Sequence, residues 1–269
     1  MMIDIHTHVF SEHLWNTYQK KSKKLVSKII SIPYFNKESK DIPKIPDIEE
    51  LLEFTDTHPN VYALGSIDMD DEIEKQLARH EELLKEGRIV GIKLYPGYQY
   101  FYPYEEKVIK IAQLCEKYDK PLVFHSGDLF DPENKAILKY SHPIHIDELA
   151  RKCPKTKIII SHFGFPYYME TTNVATANDN VYVDISAIVV EFSTSKETRN
   201  LQKQCLKDLQ RVFTYYPLMK EKIMLGTDFG GDETPLSLVK PYIKIIKKFL
   251  NKSQQENAFH KLAEKLYFN

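Results

Sequence analysis

Cysteine is scarce in this chain and forms no pattern. Cys115, Cys153 and Cys205 are odd in number and widely spaced, with no Cys-x-x-Cys pair. That excludes a secreted disulfide scaffold and points to a reducing, cytoplasmic setting. Net charge is also missing. The 37 basic residues stand against 38 acidic ones, a formal charge of −1. A balance so near zero leaves no electrostatic footprint for nucleic acid or a membrane surface. No apolar run approaches the ~20 residues that a membrane span needs. The first residues, MMIDIHTHVF, lack the basic flank and apolar stretch of a signal peptide, so none is expected. Glycine is sparse, with nine in 269 residues. What is present is 42% hydrophobic and 28% charged, too apolar for a disordered chain and ordinary for a folded one. The length fits two average domains or one α/β barrel of ~250 residues.

Short apolar runs punctuate the chain: Ile3–Ile5, Val61–Ile67, Ile89–Leu94, Leu122–Phe124, Ile158–Ile160, Val181–Ile185 and Ile223–Leu225. Most are continuous rather than alternating, as in parallel strands covered on both faces. Helical patterns lie between them. Asp47 with Glu50 forms a capping box for a helix through about Thr57. Asp70 is placed to cap a charged helix ending at Gly87. Tyr104 to Tyr118, Leu201 to Val212 and Leu236 to Leu250 show helical spacing, and Ser253 with Glu256 predicts a capping box for the closing helix. Strand and helix alternate at about 30 residues per unit, which predicts a parallel sheet with right-handed crossovers. So many units fit a closed (β/α)8 barrel in a single domain better than a small open sheet. The missing second strand is expected at Val26–Ile32. Gly97, Gly127, Gly164, Gly230 and Gly231 each follow a strand end, where a barrel builds its active-site loops.

The chemistry-bearing residues gather at the same ends. His6 and His8 flank Thr7 at the close of the first strand. Residues two apart in a strand share a face, so two imidazoles project side by side. Two surface histidines would also explain them, but other strand ends carry partners. PLVFHSG ends in His125, KIIISHFG in His162 and KIMLGTDFGG in Asp228. Imidazoles with a carboxylate suit a divalent cation, zinc above all, with manganese, iron or nickel as alternatives. Lys93, in GIKLYP, is a lysine late in a buried strand, which is costly unless paired or functional. It pairs with a carboxylate, reaches a substrate carboxylate, or is carbamylated and bridges two metals.

The words DIHTH, GIKLYP, PLVFHSG, ISHFG, VYVDIS and GTD, in this order, resemble the amidohydrolase superfamily, and most closely its amidohydrolase-related branch of hydrolases and non-oxidative decarboxylases. The resemblance runs from Ile3 to the C-terminal helix. It implies a (β/α)8 TIM barrel with one or two divalent ions at the strand C-termini; residues 11–46 match none of the family's words and are read as an insertion after the first strand. His6, His8, Lys93, His125, His162 and Asp228 match the family's metal-ligand positions, and Lys93 matches the carbamylated lysine of binuclear members. Asp228 also matches the general base, and the metal or His162 would polarise a substrate carbonyl. The implied reaction is hydrolysis of an amide, lactone or related bond of a small molecule by metal-activated water. The alternative is decarboxylation of a small carboxylic acid. Related nucleases carry a glutamate at the position of Lys93, and a non-enzymatic binding protein would not need the intact ligand set. A homodimer is a family-level expectation. The closing helix reads KLAEKLYF where many relatives have an Asn-Ala pair.

Specificity is expected from the loops. LYPGYQYFYPY holds Tyr95, Tyr98, Tyr100, Tyr102 and Tyr104, of which Tyr95 and Tyr98 are candidate substrate contacts with Asp128 and His142. For these tyrosines, cover of the barrel rim is the competing role. Asp184 is a candidate to hold a metal ligand in place, or to make a buried structural hydrogen bond. His13, His58, Glu170 and Asp232 are expected to be ordinary surface residues. Residues 11–46, with the single tryptophan Trp15, are expected to form a lid or a subunit contact.

Overall fold

The computed structural model describes residues 1–22, 24–34, 47–129, 135–189, 195–230 and 239–269. Eight parallel strands pair in sequence order. They are β1 (Ile3–Thr7), β2 (Lys28–Ser31), β3 (Val61–Ser66), β4 (Ile89–Leu94), β5 (Leu122–Phe124), β6 (Ile158–Ile160), β7 (Val181–Asp184) and β8 (Ile223–Met224). Backbone hydrogen bonds bring β8 back to β1, from Ile5 N–H to Leu225 O at 3.0 Å and from His8 N–H to Phe229 O at 2.7 Å. The chain is a (β/α)8 TIM barrel.

Helices α1 (Glu12–Ser22), α2 (Ile48–Thr57), α3 (Ile73–Lys85), α4 (Glu106–Lys117), α5 (Leu138–Ser141), α6 (His145–Lys152), α7 (Tyr168–Ala177), α8 (Ser195–Tyr215), α9 (Val239–Phe249) and α10 (Lys252–Glu256) cover the outside. Among the described residues, no helix is long and apolar enough to cross a membrane. Strand side chains alternate between two cores. Leu64, Val123, Ile159 and Met224 fill the barrel, whose floor is closed by Leu262, Leu266 and Tyr267 of the last turns. Ala63, Leu122, Ile160 and Val183 pack outward against the helices. Above the apolar floor, the strand C-termini bring buried histidines and aspartates together.

The expected second strand lies within Val26–Ile32, and α1 is the barrel's own first helix. Within the expected insertion, Glu12–Ser22 and Lys28–Ser31 are the barrel's first helix and second strand. Leu14, Tyr18 and Ser22, four residues apart, turn one face of α1 inward. Trp15 stacks on Tyr18 from this helix. Pro43 and Pro46, in the second part of the expected lid, lie outside the described residues, as do Gly231 and Asp232.

Asp47 caps α2 as expected, accepting from Glu50 N–H at 2.9 Å. Two other caps differ. α3 starts after Glu72, because the Asp68 carboxylate draws Asp70 into a turn by accepting its N–H at 2.9 Å. Gly87 does end α3, in the left-handed region at φ +69°. The final capping box is Asn251 with Gln254 rather than Ser253 with Glu256. Asparagine caps as well as serine, and Asn251 is the first such residue after α9.

Candidate metal centre

β1 delivers His6 and His8, β5 is followed by His125, β6 by His162, and β8 by Asp228. The backbone is bent to do this. His162 has φ +60° and Asp228 φ +63°, a region that costs a non-glycine residue free energy and is tolerated where neighbours fix it. The fixing groups are present. Asp228 N–H donates to His6 O at 2.8 Å. Before it, Thr227 is clamped by buried Asp4, whose carboxylate accepts from Thr227 N–H at 3.0 Å, Thr227 Oγ1 at 2.7 Å and Tyr18 Oη at 2.7 Å. Burial pushes the Asp4 carboxyl up to about 6, against these hydrogen bonds. Gly127, at φ +92°, lets the loop after β5 lie against the loop after β6. A Cβ there would sit 2.0 Å from Phe165 O.

One ligand atom from each of His6, His162 and Asp228 lies within 4.8 Å of the others. The outward hydrogen bonds of the rings decide what their inward nitrogens offer. His8 Nδ1 faces Ile32 O at 2.8 Å and His125 Nε2 faces Asp128 O at 3.0 Å. A carbonyl only accepts, so both nitrogens carry hydrogen. His6 Nδ1 faces Asp184 Oδ2 at 3.0 Å. Burial raises the Asp184 carboxyl, but His6, His162 and Lys93 hold it below the ordinary range, so it accepts as a carboxylate. Ser186 Oγ donates to Asp184 Oδ1 in a short contact. With its one hydrogen so used, Ser186 accepts from His162 Nδ1 at 2.9 Å.

All four rings thus have an N–H committed outward. Their second nitrogens face inward. His6 Nε2 and His8 Nε2 lie 3.0 and 3.1 Å from Asp228 Oδ1. His125 Nδ1 and His162 Nε2 lie 3.2 Å apart. Burial holds both of these imidazoles neutral, His125 well below its ordinary value and His162 at about 3. Two bare lone pairs therefore face each other with no proton between them. A cation satisfies both, so the donor set fits a divalent metal ion. Asp228 is held well below the carboxylate range, because His6, His8 and His162 outweigh its burial. Against burial and Lys93, the carboxylates of Asp184 and Asp228 raise His6.

Lys93 is brought to the same layer. Its Nζ donates to Ser161 Oγ at 2.5 Å. Burial lowers it to about 8, while Asp184 and Asp228 favour its charge.

The expected substrate contacts divide. Tyr98 and Tyr95 stand against His125, with ring centroids at 5.0 and 6.5 Å, and Tyr34 packs on Tyr95 at 5.1 Å. Tyr95 Oη donates to Pro33 O at 2.8 Å. Tyr100, Tyr102 and Tyr104 instead form a ladder with Tyr140 and His145. The Asp128 side chain is exposed and accepts from Leu129 N–H at 3.1 Å; only its backbone carbonyl touches His125. His142 packs against Tyr167, with ring centroids at 4.3 Å and planes tilted by 45°. His58 pairs with Glu12 at 3.0 Å, and Glu170 is exposed.

Sequence reasoning missed Ser186 and the Asp4 clamp. Asp184 and Ser186 are two apart and share a face, the signal that found His6 and His8. Asp184 Oδ1 also accepts from the N–H groups of His162 at 3.0 Å and Ser186 at 2.9 Å. One serine–aspartate pair therefore orients rings from β1 and β6.

Comparison with known proteins gives a family and a fold. The family model described as Amidohydrolase matches residues 48–268. No curated protein matches the chain. Solved structures share its fold. A probable 2-pyrone-4,6-dicarboxylic acid hydrolase from Acinetobacter baumannii, with citric acid bound, is 14% identical with a TM-score of 0.66, covering 98% of both chains. A dihydroxybenzoic acid decarboxylase from a Polaromonas species, with manganese and an inhibitor, is 13% identical with a TM-score of 0.65, covering 98% of this chain and 96% of that one. Dihydroorotase from Campylobacter jejuni is 15% identical with a TM-score of 0.58, covering 98% of this chain and 82% of that one.

Proposed function

Because the chain belongs to the amidohydrolase family, a family of metal-dependent hydrolases and decarboxylases, we propose that it hydrolyses an amide, lactone or related bond of a small molecule. The observation that carries this reading is the ring of inward-facing ring nitrogens, above all the 3.2 Å approach of His125 Nδ1 to His162 Nε2. His6, His8, His125, His162 and Asp228 would hold the ion, zinc by donor chemistry, with manganese the alternative suggested by the Polaromonas decarboxylase. A bound ion supplies Lewis acidity, polarising a carbonyl and acidifying water.

The chain's own residues do the rest. Asp228 is ionised, and takes the proton of the attacking water at its carboxylate, then returns it to the leaving group. Asp184 and Ser186 keep His6 and His162 in the tautomer that turns Nε2 inward. His162 has its N–H given to Ser186, so its part would be that of a ligand rather than a proton donor to the substrate carbonyl. Tyr98 and Tyr95 stand beside His125 as a wall for a flat or cyclic substrate.

The solved structures of similar fold include hydrolases and decarboxylases, and the test separates the two. Zinc- or manganese-loaded protein is offered cyclic lactones and amides, such as 2-pyrone-4,6-dicarboxylate and dihydroorotate, and dihydroxybenzoates. Ring opening is followed by ultraviolet absorbance, and carbon dioxide by mass spectrometry. The expected result is ring opening that Asp228→Asn loses while its circular dichroism is kept. Carbon dioxide from the benzoates without ring opening overturns the hydrolase in favour of a decarboxylase. Undiminished turnover in Asp228→Asn overturns Asp228 as the base.

A further inference from the structure

The barrel mouth has two chemically different halves. Strands β5 to β8 and β1 carry the imidazoles and carboxylates described above. The β3–β4 side carries an ammonium, on Lys93, and a hydroxyl, on Ser66, that this donor set does not use. Lys93 is 1% exposed. Its Nζ lies 5.5 Å from the centroid of the Tyr95 ring and donates to Ser161 Oγ. An ammonium has three N–H donors. Among the described residues, Ser161 accounts for one of them. Ser66 is the register neighbour of Lys93 on β3, and residues paired in this way share a face. Ser66 is 7% exposed, and its hydroxyl is buried without a hydrogen-bond partner. Unfilled donors on a buried ammonium beside an unfilled buried hydroxyl are costly alone and are satisfied together by an anionic oxygen group.

We propose that Lys93, as an unmodified ammonium, and the Ser66 hydroxyl form a subsite for a carboxylate on the substrate. The rest of the substrate then lies along the Tyr95–Tyr98 wall with its reacting bond toward Asp228. This deepens the hydrolase reading and rests on it for the identity of the ligand as substrate. It excludes a carbamylated Lys93, because a carbamate is itself an anion and repels a carboxylate.

Benzoate and benzamide test the site, since they differ in charge at nearly the same shape. Their affinities are measured by calorimetry on zinc-loaded wild type, Lys93→Met, Lys93→Arg and Ser66→Ala. Zinc content is measured in parallel, and NMR with isotope-labelled bicarbonate looks for a lysine carbamate. Wild type is expected to prefer benzoate. Lys93→Met should weaken benzoate by about tenfold or more and leave benzamide unchanged, the usual size of a lost charge-assisted hydrogen bond. Lys93→Arg keeps the charge and should keep most of the preference, and Ser66→Ala should lose part of it. If Lys93→Met does not fold, these last two variants decide. Equal benzoate binding by wild type and Lys93→Met overturns the subsite. So does a carbamate resonance that disappears with zinc in Lys93→Met. Benzoate preference without ring-opening activity refutes the hydrolase reading alone; ring opening without benzoate preference refutes this subsite alone.

Discussion

Removing one hydroxyl, by Ser186→Ala, should loosen the metal centre without touching a ligand. Ser186 Oγ accepts from His162 Nδ1 at 2.9 Å, lies 3.1 Å from His6 Nδ1 and donates to Asp184. The substitution removes one buried oxygen and adds no bulk. His6 keeps Asp184 as its acceptor. His162 has no other acceptor for Nδ1–H among the described residues, so that donor is left buried and unpaired, at a cost of about 1–3 kcal/mol. The cost falls on the inward-facing tautomer, the one that offers Nε2 to a cation. At ~1.4 kcal/mol per tenfold, zinc affinity should drop roughly 10- to 100-fold, the range found for groups that orient metal-bound histidines. The assay is competition for zinc against a chromophoric chelator at neutral pH, with circular dichroism to show the fold retained. Wild-type affinity in Ser186→Ala would refute the hydrogen-bond reasoning, because it would mean that His162 does not need its Nδ1–H held.

Other predictions follow from buried groups near and away from the site. Asp4→Asn keeps an oxygen for Thr227 N–H but cannot accept from both the Thr227 and Tyr18 hydroxyls. It should lower stability to urea by about 1–3 kcal/mol, and unchanged stability would show that the clamp on Asp228 is dispensable. Gly127→Ala drives a Cβ to 2.0 Å from Phe165 O at φ +92°, so soluble expression and melting temperature should fall sharply; a wild-type melting curve contradicts the close approach. His80 is buried and its pKa is lowered from 6.5 by that burial. The unfolded chain therefore binds this proton first, and stability is full above pH 6.5 and declines below it by up to ~1.4 kcal/mol per pH unit until the native pKa is reached. His80→Gln should lose this component, and an identical acid slope in both proteins would exclude it.

The strands were legible because both faces of each are covered. Runs such as Ile158–Ile160 and Leu122–Phe124 have no polar alternation to blur their limits, and they match the structure to the residue. Helix limits were harder. α8 runs from Ser195 to Tyr215, well beyond Leu201–Val212, because its ends are polar and only Cys205, Leu209, Val212 and Phe213 are buried. α7, rich in threonine, has no clear apolar stripe and was not anticipated. The histidines stood out because they follow apolar runs at strand ends. Asp4, Ser161 and Ser186 did not, since an aspartate or serine in such a place is common and only hydrogen-bond geometry marks these three. The tyrosines show the same limit. Five lie along one loop, four of them alternating from Tyr98, but the turn at Gly97, in the left-handed region at φ +100°, sends Tyr95 and Tyr98 to His125 and the others to Tyr140 and His145. Composition and spacing do not encode that turn's direction.

The central claim is that four imidazoles and Asp228 form a divalent metal centre. The most direct measurement is the metal content of protein purified without a metal-chelating tag, by plasma mass spectrometry, for wild type and for His125→Ala with His162→Ala. With Lys93 an unmodified ammonium, wild type should hold close to one ion per chain, and the double variant little or none while still folded. Wild type that stays empty after equilibration with zinc and with manganese would contradict the account at its base.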